Sequence, residues 1–228
     1  MVCSDSGMED KGVMQELSAA GGTVGIVFAD DFLVVVDKPA GLLSVPGRGE
    51  GKRDCAAARV QAKYSDALIV HRLDMATSGL LLMARGAGMQ RRMSAAFAGR
   101  EVAKRYVAVV AGVIADDEGT IDLPIAADWP NRPKRIVDLA AGKPSRTHWR
   151  VLARGEDTTR VALEPVSGRT HQLRVHMMAI GHPIVGDALY APPNIRDLAP
   201  RLLLHACELS FAHPESGELV LLRSDSPF

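Results

Sequence analysis

Residues 67–85 run Ala67-Leu68-Ile69-Val70, then His71-Arg72-Leu73-Asp74-Met75-Ala76-Thr77-Ser78-Gly79, then Leu80-Leu81-Leu82-Met83-Ala84-Arg85. Two short apolar runs of this length read as buried strands, and Thr77-Ser78-Gly79 supplies turn material between them. Asp74 is therefore expected in a connection flanked by buried segments. Taken by itself it fits a turn-forming aspartate or one half of an ion pair. Loops carried on a rigid scaffold are also where catalytic groups tend to sit.

Upstream, Phe32-Leu33-Val34-Val35-Val36 is a β-branched run closed by Lys38-Pro39, followed by a Gly/Pro-rich loop to Arg53 and a helix over Cys55–Tyr64. Pro46-Gly47-Arg48-Gly49-Glu50-Gly51-Lys52-Arg53 looks superficially like a phosphate loop. Pro46 and Arg53, however, occupy the positions that need Gly and Ser/Thr. Downstream, Met89–Phe97 reads as a helix closed by Gly99, and Lys104–Val110 as a strand. Trp149–Ala153 and Arg160–Leu163 flank the turn Gly155-Glu156-Asp157. A helix over Thr170–Ile180, capped by Thr170 and ended by Gly181, puts His171 and Arg174 on adjoining turns. Leu202–Leu204 and Leu219–Leu222 supply late strands, with Pro214–Gly217 as a turn. Strands joined mostly by short turns, with few helices, indicate an α+β fold: a mixed, mainly antiparallel sheet with flanking helices and loops. Residues 1–22 are polar and acidic, expected as a flexible leader, with order beginning near Thr23 and a single domain over residues 23–228.

The chain has 228 residues, 47% of them hydrophobic, which is ample for a substantial core. Cys3, Cys55 and Cys207 are too few and too scattered for a disulfide framework, and no CxxC pair suggests zinc, so a reducing cytoplasm is expected. No apolar run approaches the ~20 residues a bilayer requires. The net charge is zero, which argues mildly against nucleic acid. Two stretches are nevertheless basic. Arg85, Arg91, Arg92, Arg100, Lys104 and Arg105 form the first; Arg132, Lys134, Arg135, Lys143, Arg146 and Arg150 form the second. Each reads as a solvated face or as a grip on phosphate. His171 and His176, at i and i+5, turn to different helix faces, so metal catalysis is not expected. Ser167, His171 and Asp187 can be drawn as a triad, but no GxSxG surrounds Ser167. Trp129 and Trp149 flank the second basic stretch and fit either base stacking or core packing.

The stretch His71–Gly79 resembles the HRLDxxTSG signature of the RluA-type pseudouridine synthases. Lys38–Arg48 is similar to the KPxGL segment of that family, and Gly168–His176 to its GRxHQLRxH segment. Gly181–Asp187 and Arg201–Ala206 continue the likeness. Asp128–Lys134 and Ala199–Arg201 narrow it to the dual-specificity branch associated with large-subunit ribosomal RNA and transfer RNA. The resemblance implies the pseudouridine synthase catalytic fold, a monomer, an RNA substrate, no cofactor and no membrane. With so short a leader, no additional S4-type RNA-binding domain is expected. By the same likeness Asp74 is the catalytic carboxylate, Arg174 its bidentate partner, and Tyr106 the ring that packs on uracil. The family leaves open attack at ribose C1′, attack at uracil C6, or a glycal route. Arg72 is expected to enter the space left by a flipped base, Arg132, Lys134, Arg135 and Arg169 to hold phosphates, and His171 and Gln172 to line the site. Two other functions compete: a noncatalytic RNA-binding module, and a nucleosidase or glycoside hydrolase using Glu164 as a second carboxylate.

Overall fold

A computed structural model describes residues 16–17, 24–47 and 53–228. Its first half contains β1 (Glu16–Leu17), β2 (Val24–Ala29), β3 (Leu33–Lys38), α1 (Ala56–Gln61), β4 (Ala67–Ile69), β5 (Ser78–Arg85) and α2 (Gly86–Gly99). Then follow β6 (Ala103–Ala111), β7 (Glu118–Asp122), β8 (Ile125–Ala127), β9 (Arg135–Val137), β10 (Arg146–Arg154) and β11 (Thr158–Pro165). The chain closes with α3 (Gln172–Ala179), α4 (Pro193–Arg196), β12 (Leu204–Ala212) and β13 (Leu219–Arg223). Strand β1 falls inside the expected leader and pairs with Val24 and Gly25, so pairing starts before Thr23. The rest of residues 1–22, and residues 48–52 of the loop compared with a phosphate loop, lie outside the described residues. Among the described residues no helix is long and apolar enough to cross a membrane.

The main sheet has eleven strands, with β1-β2-β3-β5-β12-β6-β11-β10-β7 as its path, β4 added to β5 and β13 added to β12. Every pairing is antiparallel except that of β12 with β5. Strand β12 thus joins two half-sheets that are otherwise sequence-local. It is late in the chain, yet it lies at the centre.

The β-branched run at β3 is explained by burial on both faces. Leu33 and Val35 pack with Leu80, Leu82 and the α2 residues Met89 and Met93. Val34 and Val36 point the other way, into a core with Leu81, Met83 and the α1 residues Ala56 and Val60. A separate core joins Ala108, Val161 and Leu163 of the second half-sheet to Leu173 and Met177 of α3. Tyr106 touches the second and third of these cores, which puts it at the junction of the two halves.

Three local expectations are revised. Ser78 and Gly79 belong to β5 rather than to the turn before it. Gly99 is the last residue of α2, and the left-handed position that ends the helix is taken by Arg100 at φ 64°. Helix α3 begins two residues after Thr170. Its N-cap is His171 at φ 57°, with no side-chain capping bond.

The seam between the halves depends on Gly79. Its φ is +111°, and a Cβ there would lie inside the contact distance of the Ala206 backbone, 2.6 Å from its nitrogen. We expect Gly79→Ala to cost about 3 kcal/mol or more, from an unfavourable φ and an immovable backbone neighbour. Denaturant melts check this; a wild-type midpoint would refute the close approach.

His71 fixes the connection ahead of β5. Its Nε2 accepts the Leu82 N–H at 2.9 Å, and its ring stacks on Phe97 with centroids 4.4 Å apart. Burial, assisted by the Lys104 charge, pushes its pKa down to about 3. Because the folded value lies below the unfolded one, near 6.5, the unfolded chain binds the extra proton between them. The stabilisation is complete above pH ~6.5 and is lost as pH falls toward 3, at up to ~1.4 kcal/mol per pH unit. His71→Gln, which keeps an acceptor but does not titrate, should flatten this slope in melts taken between pH 7 and 4. An unchanged slope would assign the acid sensitivity to other groups.

Candidate active site

The loop that carries Asp74 is clamped by the loop that follows β3. Ser44 Oγ donates to the Leu73 carbonyl at 2.8 Å and accepts the Leu73 N–H at 3.1 Å. The Gly41 N–H reaches the Met75 carbonyl at 2.8 Å. Lys38, fully buried, places its ammonium on the carbonyls of Pro39 and Leu42 at 2.8 Å and of Met75 at 3.2 Å. Asp74 is thus held from both sides in sequence, and its own carbonyl accepts the Thr77 N–H at 3.1 Å. Burial pushes the Lys38 ammonium down to about 7, against the opposing attraction of Asp74. The carboxylate itself retains 19% exposure.

Helix α3 supplies the facing cation. Arg174 is 4% exposed, and its Nη1 lies 3.6 Å from Asp74 Oδ2. The expected two-point grip on Asp74 is not what forms. Nε and Nη2 of Arg174 instead take the two oxygens of Asp187 at 2.7 and 2.6 Å, leaving one nitrogen for Asp74. Asp187 has no solvent exposure, and a carboxylate so buried requires a paired, hydrogen-bonded cation. Its Oδ1 also accepts the N–H groups of Leu189 and Tyr190. Asp74 keeps an electrostatic partner without being locked to it.

Asp74, Tyr106, His171, Arg174 and Arg169 line one cavity of about 480 Å³. A second cavity, of about 1120 Å³, opens on the other side of Asp74 and includes Lys38, Arg72, Pro133 and Arg201. Arg72 is exposed and lines both. Burial, followed by the negative charge of Asp74, pushes the Tyr106 phenol well above its ordinary range, so it carries its proton at neutral pH. His171 Nε2 is 3.8 Å from Asp74 Oδ2, and burial lowers its pKa despite the pull of that carboxylate. The imidazole is neutral at pH 7.

The remaining expectations divide by location. Gln172 is buried and bonds Ser167, Thr147 and two backbone groups, so it shapes the turn entering α3 rather than facing the cavity with free polar atoms. Ser167 Oγ donates to Gln172, His171 bonds Tyr190 and Asp187 bonds Arg174; no triad assembles. Glu164 binds Arg105 at 2.8 Å. Arg105 precedes Tyr106 on β6 and so points to the opposite sheet face, which takes Glu164 away from Asp74 and removes the two-carboxylate hydrolase reading. Trp149 is a core residue, whereas Trp129 is 68% exposed with the Arg132 guanidinium 3.6 Å above its ring. In the first basic stretch Arg85, Arg92 and Arg105 are bound to carboxylates. Among the described residues Arg132, Lys134 and Arg135, on and beside the β8–β9 turn, have no carboxylate partner, and Arg169 stands exposed at the rim of the smaller cavity.

Lys38, Asp187 and Tyr190 were not expected as site residues. Lys38 had one available signal: a lysine directly continuing a buried strand and followed by proline must place its charge on loop carbonyls. Asp187 and Tyr190 carried no local signal, because their partners are 13 and 55 residues away.

Comparison with known proteins agrees with this geometry. The family model described as RNA pseudouridylate synthase matches residues 32–179. The dual-specificity RNA pseudouridine synthase RluA of Escherichia coli K12 is 48% identical over 204 residues, covering 89% of this chain and 93% of that one. The protein of the same name from Yersinia pestis is 47% identical, covering 89% and 99%. Among solved structures, human RNA pseudouridylate synthase domain containing 1 superposes with a TM-score of 0.76 at 30% identity, over 90% of this chain and 84% of that one. With the matched region running through Asp74, Tyr106 and Arg174, the chain belongs to the RNA pseudouridylate synthase family of isomerases.

Proposed function

We propose that this pseudouridine synthase isomerises specific uridines of structured RNA, in large-subunit ribosomal RNA, the anticodon stem-loop of transfer RNA, or both, with Asp74 as nucleophile. One observation carries the proposal: a partly exposed carboxylate in a 480 Å³ cavity, 3.6 Å from a buried guanidinium and sharing its walls with a tyrosine. Relatives named dual-specificity RNA pseudouridine synthases support more than one kind of RNA substrate, and the resemblance at Asp128–Lys134 suggests which.

The reaction breaks the N1–C1′ bond, turns the uracil, forms C5–C1′, and moves a proton from C5 to N1. Nothing is oxidised or reduced. An ionised carboxylate can form and release the covalent bond this requires, as carboxylates do in other glycosyl chemistry. Arg174 keeps Asp74 anionic when the base displaces water, and its attachment to Asp187 fixes that charge in place. Tyr106 packs on the uracil. Burial and the Asp74 charge keep the phenol protonated, so it can take the C5 proton only by handing its own to N1, which leaves the phenol unchanged and moves one proton net from C5 to N1.

A uridine in a stem-loop must leave its stack, at a cost of a few kcal/mol. Arg72, exposed between both cavities, is suited to fill the vacancy by stacking and hydrogen bonding. Arg132, Lys134, Arg135 and Arg169 contact phosphates, His171 lines the pocket and the domain acts as a monomer in the cytoplasm.

Incubating the protein with ribosomal and transfer RNA transcripts, followed by chemical mapping of pseudouridine, tests the assignment. Asp74→Asn should lose about a thousandfold or more of the rate while still binding RNA. Full activity in that variant would remove Asp74 from the chemistry. Arg72→Ala should slow turnover on a folded stem-loop by about tenfold more than on an unstructured strand. Equal losses on both would deny it a part in flipping.

A further inference from the structure

The β8–β9 hairpin packs Ile125 and Val137 against Val175 of α3 and Leu189, and one polar connection runs from it to the wall that holds Asp74. The backbone N–H of Arg135, the first residue of β9, donates to the Tyr190 hydroxyl at 2.8 Å. That hydroxyl is 2.7 Å from His171 Nδ1, and His171 Nε2 faces the Asp74 carboxylate at 3.8 Å. The hydroxyl already accepts from Arg135, so its own proton is available to His171 Nδ1. The neutral imidazole then carries its proton on Nε2, the nitrogen turned to Asp74. Tyr190 has little freedom to move: it is 9% exposed, and the Arg174 guanidinium lies 5.1 Å from its ring centre.

The side chain of the same Arg135 is unsatisfied. Among the described residues its Nε is the one buried side-chain polar atom without a hydrogen-bond partner. A buried guanidinium N–H left unpaired is costly, and an anionic oxygen would relieve it. Arg132 and Lys134 stand beside it with no carboxylate partner, and Pro133 lines the larger cavity next to Asp74. The ligand that fits is a backbone phosphate of the RNA whose uridine occupies the site. The hairpin is built to respond to it. Its two strands have three residues each and form a sheet of their own, seated on Val175 and Leu189 through Ile125 and Val137, so a restraint on Arg135 is passed directly to the Tyr190 hydroxyl.

We propose that Tyr190 and His171 are positioning residues that tie Asp74 to Arg135, so that seating an RNA phosphate on the Arg135 guanidinium sets the carboxylate for reaction. This rests on the Asp74-centred reading above. Phosphate binding restrains Arg135, its N–H holds the Tyr190 hydroxyl, and the hydroxyl orients the imidazole against Asp74. RNA that does not place a phosphate there meets a less well aligned nucleophile, so the arrangement favours substrates of the correct backbone shape.

The test measures dissociation constants and single-turnover rates on a stem-loop RNA for wild type, Tyr190→Phe, Arg135→Ala and the double variant, with Asp74→Asn alongside. Tyr190→Phe keeps the ring and removes the hydroxyl. It should melt a few degrees lower, because the Arg135 N–H and His171 Nδ1 lose their partner, yet retain its affinity and react about tenfold more slowly at a temperature where it is fully folded, the effect of losing one aligned hydrogen bond. Arg135→Ala keeps its backbone N–H and should weaken both affinity and rate. In the Tyr190→Phe background it should weaken affinity alone, because the connection through which it affects rate is already cut. A wild-type rate in Tyr190→Phe, or independent rate losses that multiply in the double variant, would overturn the coupling while leaving Asp74 as the nucleophile. An active Asp74→Asn would overturn the underlying reading and the coupling with it.

Discussion

The site depends on one buried cation shared between two carboxylates. Arg174 is anchored by two short bonds to Asp187, which is wholly buried, and presents its third nitrogen to Asp74 at 3.6 Å. Removing either member of the buried pair would strand a charge in a medium that solvates it poorly. The pair therefore fixes the direction of the guanidinium. A guanidinium gripping Asp74 at both oxygens would satisfy the carboxylate fully. A cation anchored elsewhere supplies the charge and leaves the Asp74 oxygens accessible, as the proposed nucleophilic role requires.

The rest of the fold brings that cation to the loop that needs it. Arg174 belongs to the second half of the molecule and Asp74 to the first. The two are brought together because β12, late in the chain, inserts between β5 and β6. The parallel contact at Gly79 and Ala206 sits five residues beyond Asp74, so the join between the half-sheets is also the support of the loop that carries Asp74. His71 and Lys38 hold that loop from the two sides, one by accepting the Leu82 N–H and the other by donating to carbonyls of two loops. Neither holds the carboxylate itself.

Charge distribution explains how a neutral protein can serve an RNA substrate. Much of the first basic stretch is neutralised by carboxylates across the fold, as with Arg92 and Glu215 or Arg105 and Glu164. The cations around the β8–β9 turn are not. Unpaired cations therefore include a group next to Pro133, which lines the larger cavity, and the zero sum over the chain conceals it.

The sequence by itself determined the strands, since β-branched runs such as Leu33–Val36 and the apolar stretch Leu80–Ala84 can only be buried, and it determined the turns, where Gly and Pro restrict the backbone. It also determined the family, through ordered motifs around Asp74, Tyr106 and Arg174. Ends of elements were less legible: Ser78 and Gly79 look like turn residues, yet the close approach to Ala206 draws them into β5. Only the tertiary structure decided who partners whom. Local composition cannot reveal that Arg174 is fastened to Asp187, that Trp129 is exposed while Trp149 is buried, or that Glu164 is turned to the wrong face. Backbone preference is a property of neighbouring residues, whereas the burial and pairing of a charge depend on residues that meet only when the sheet closes.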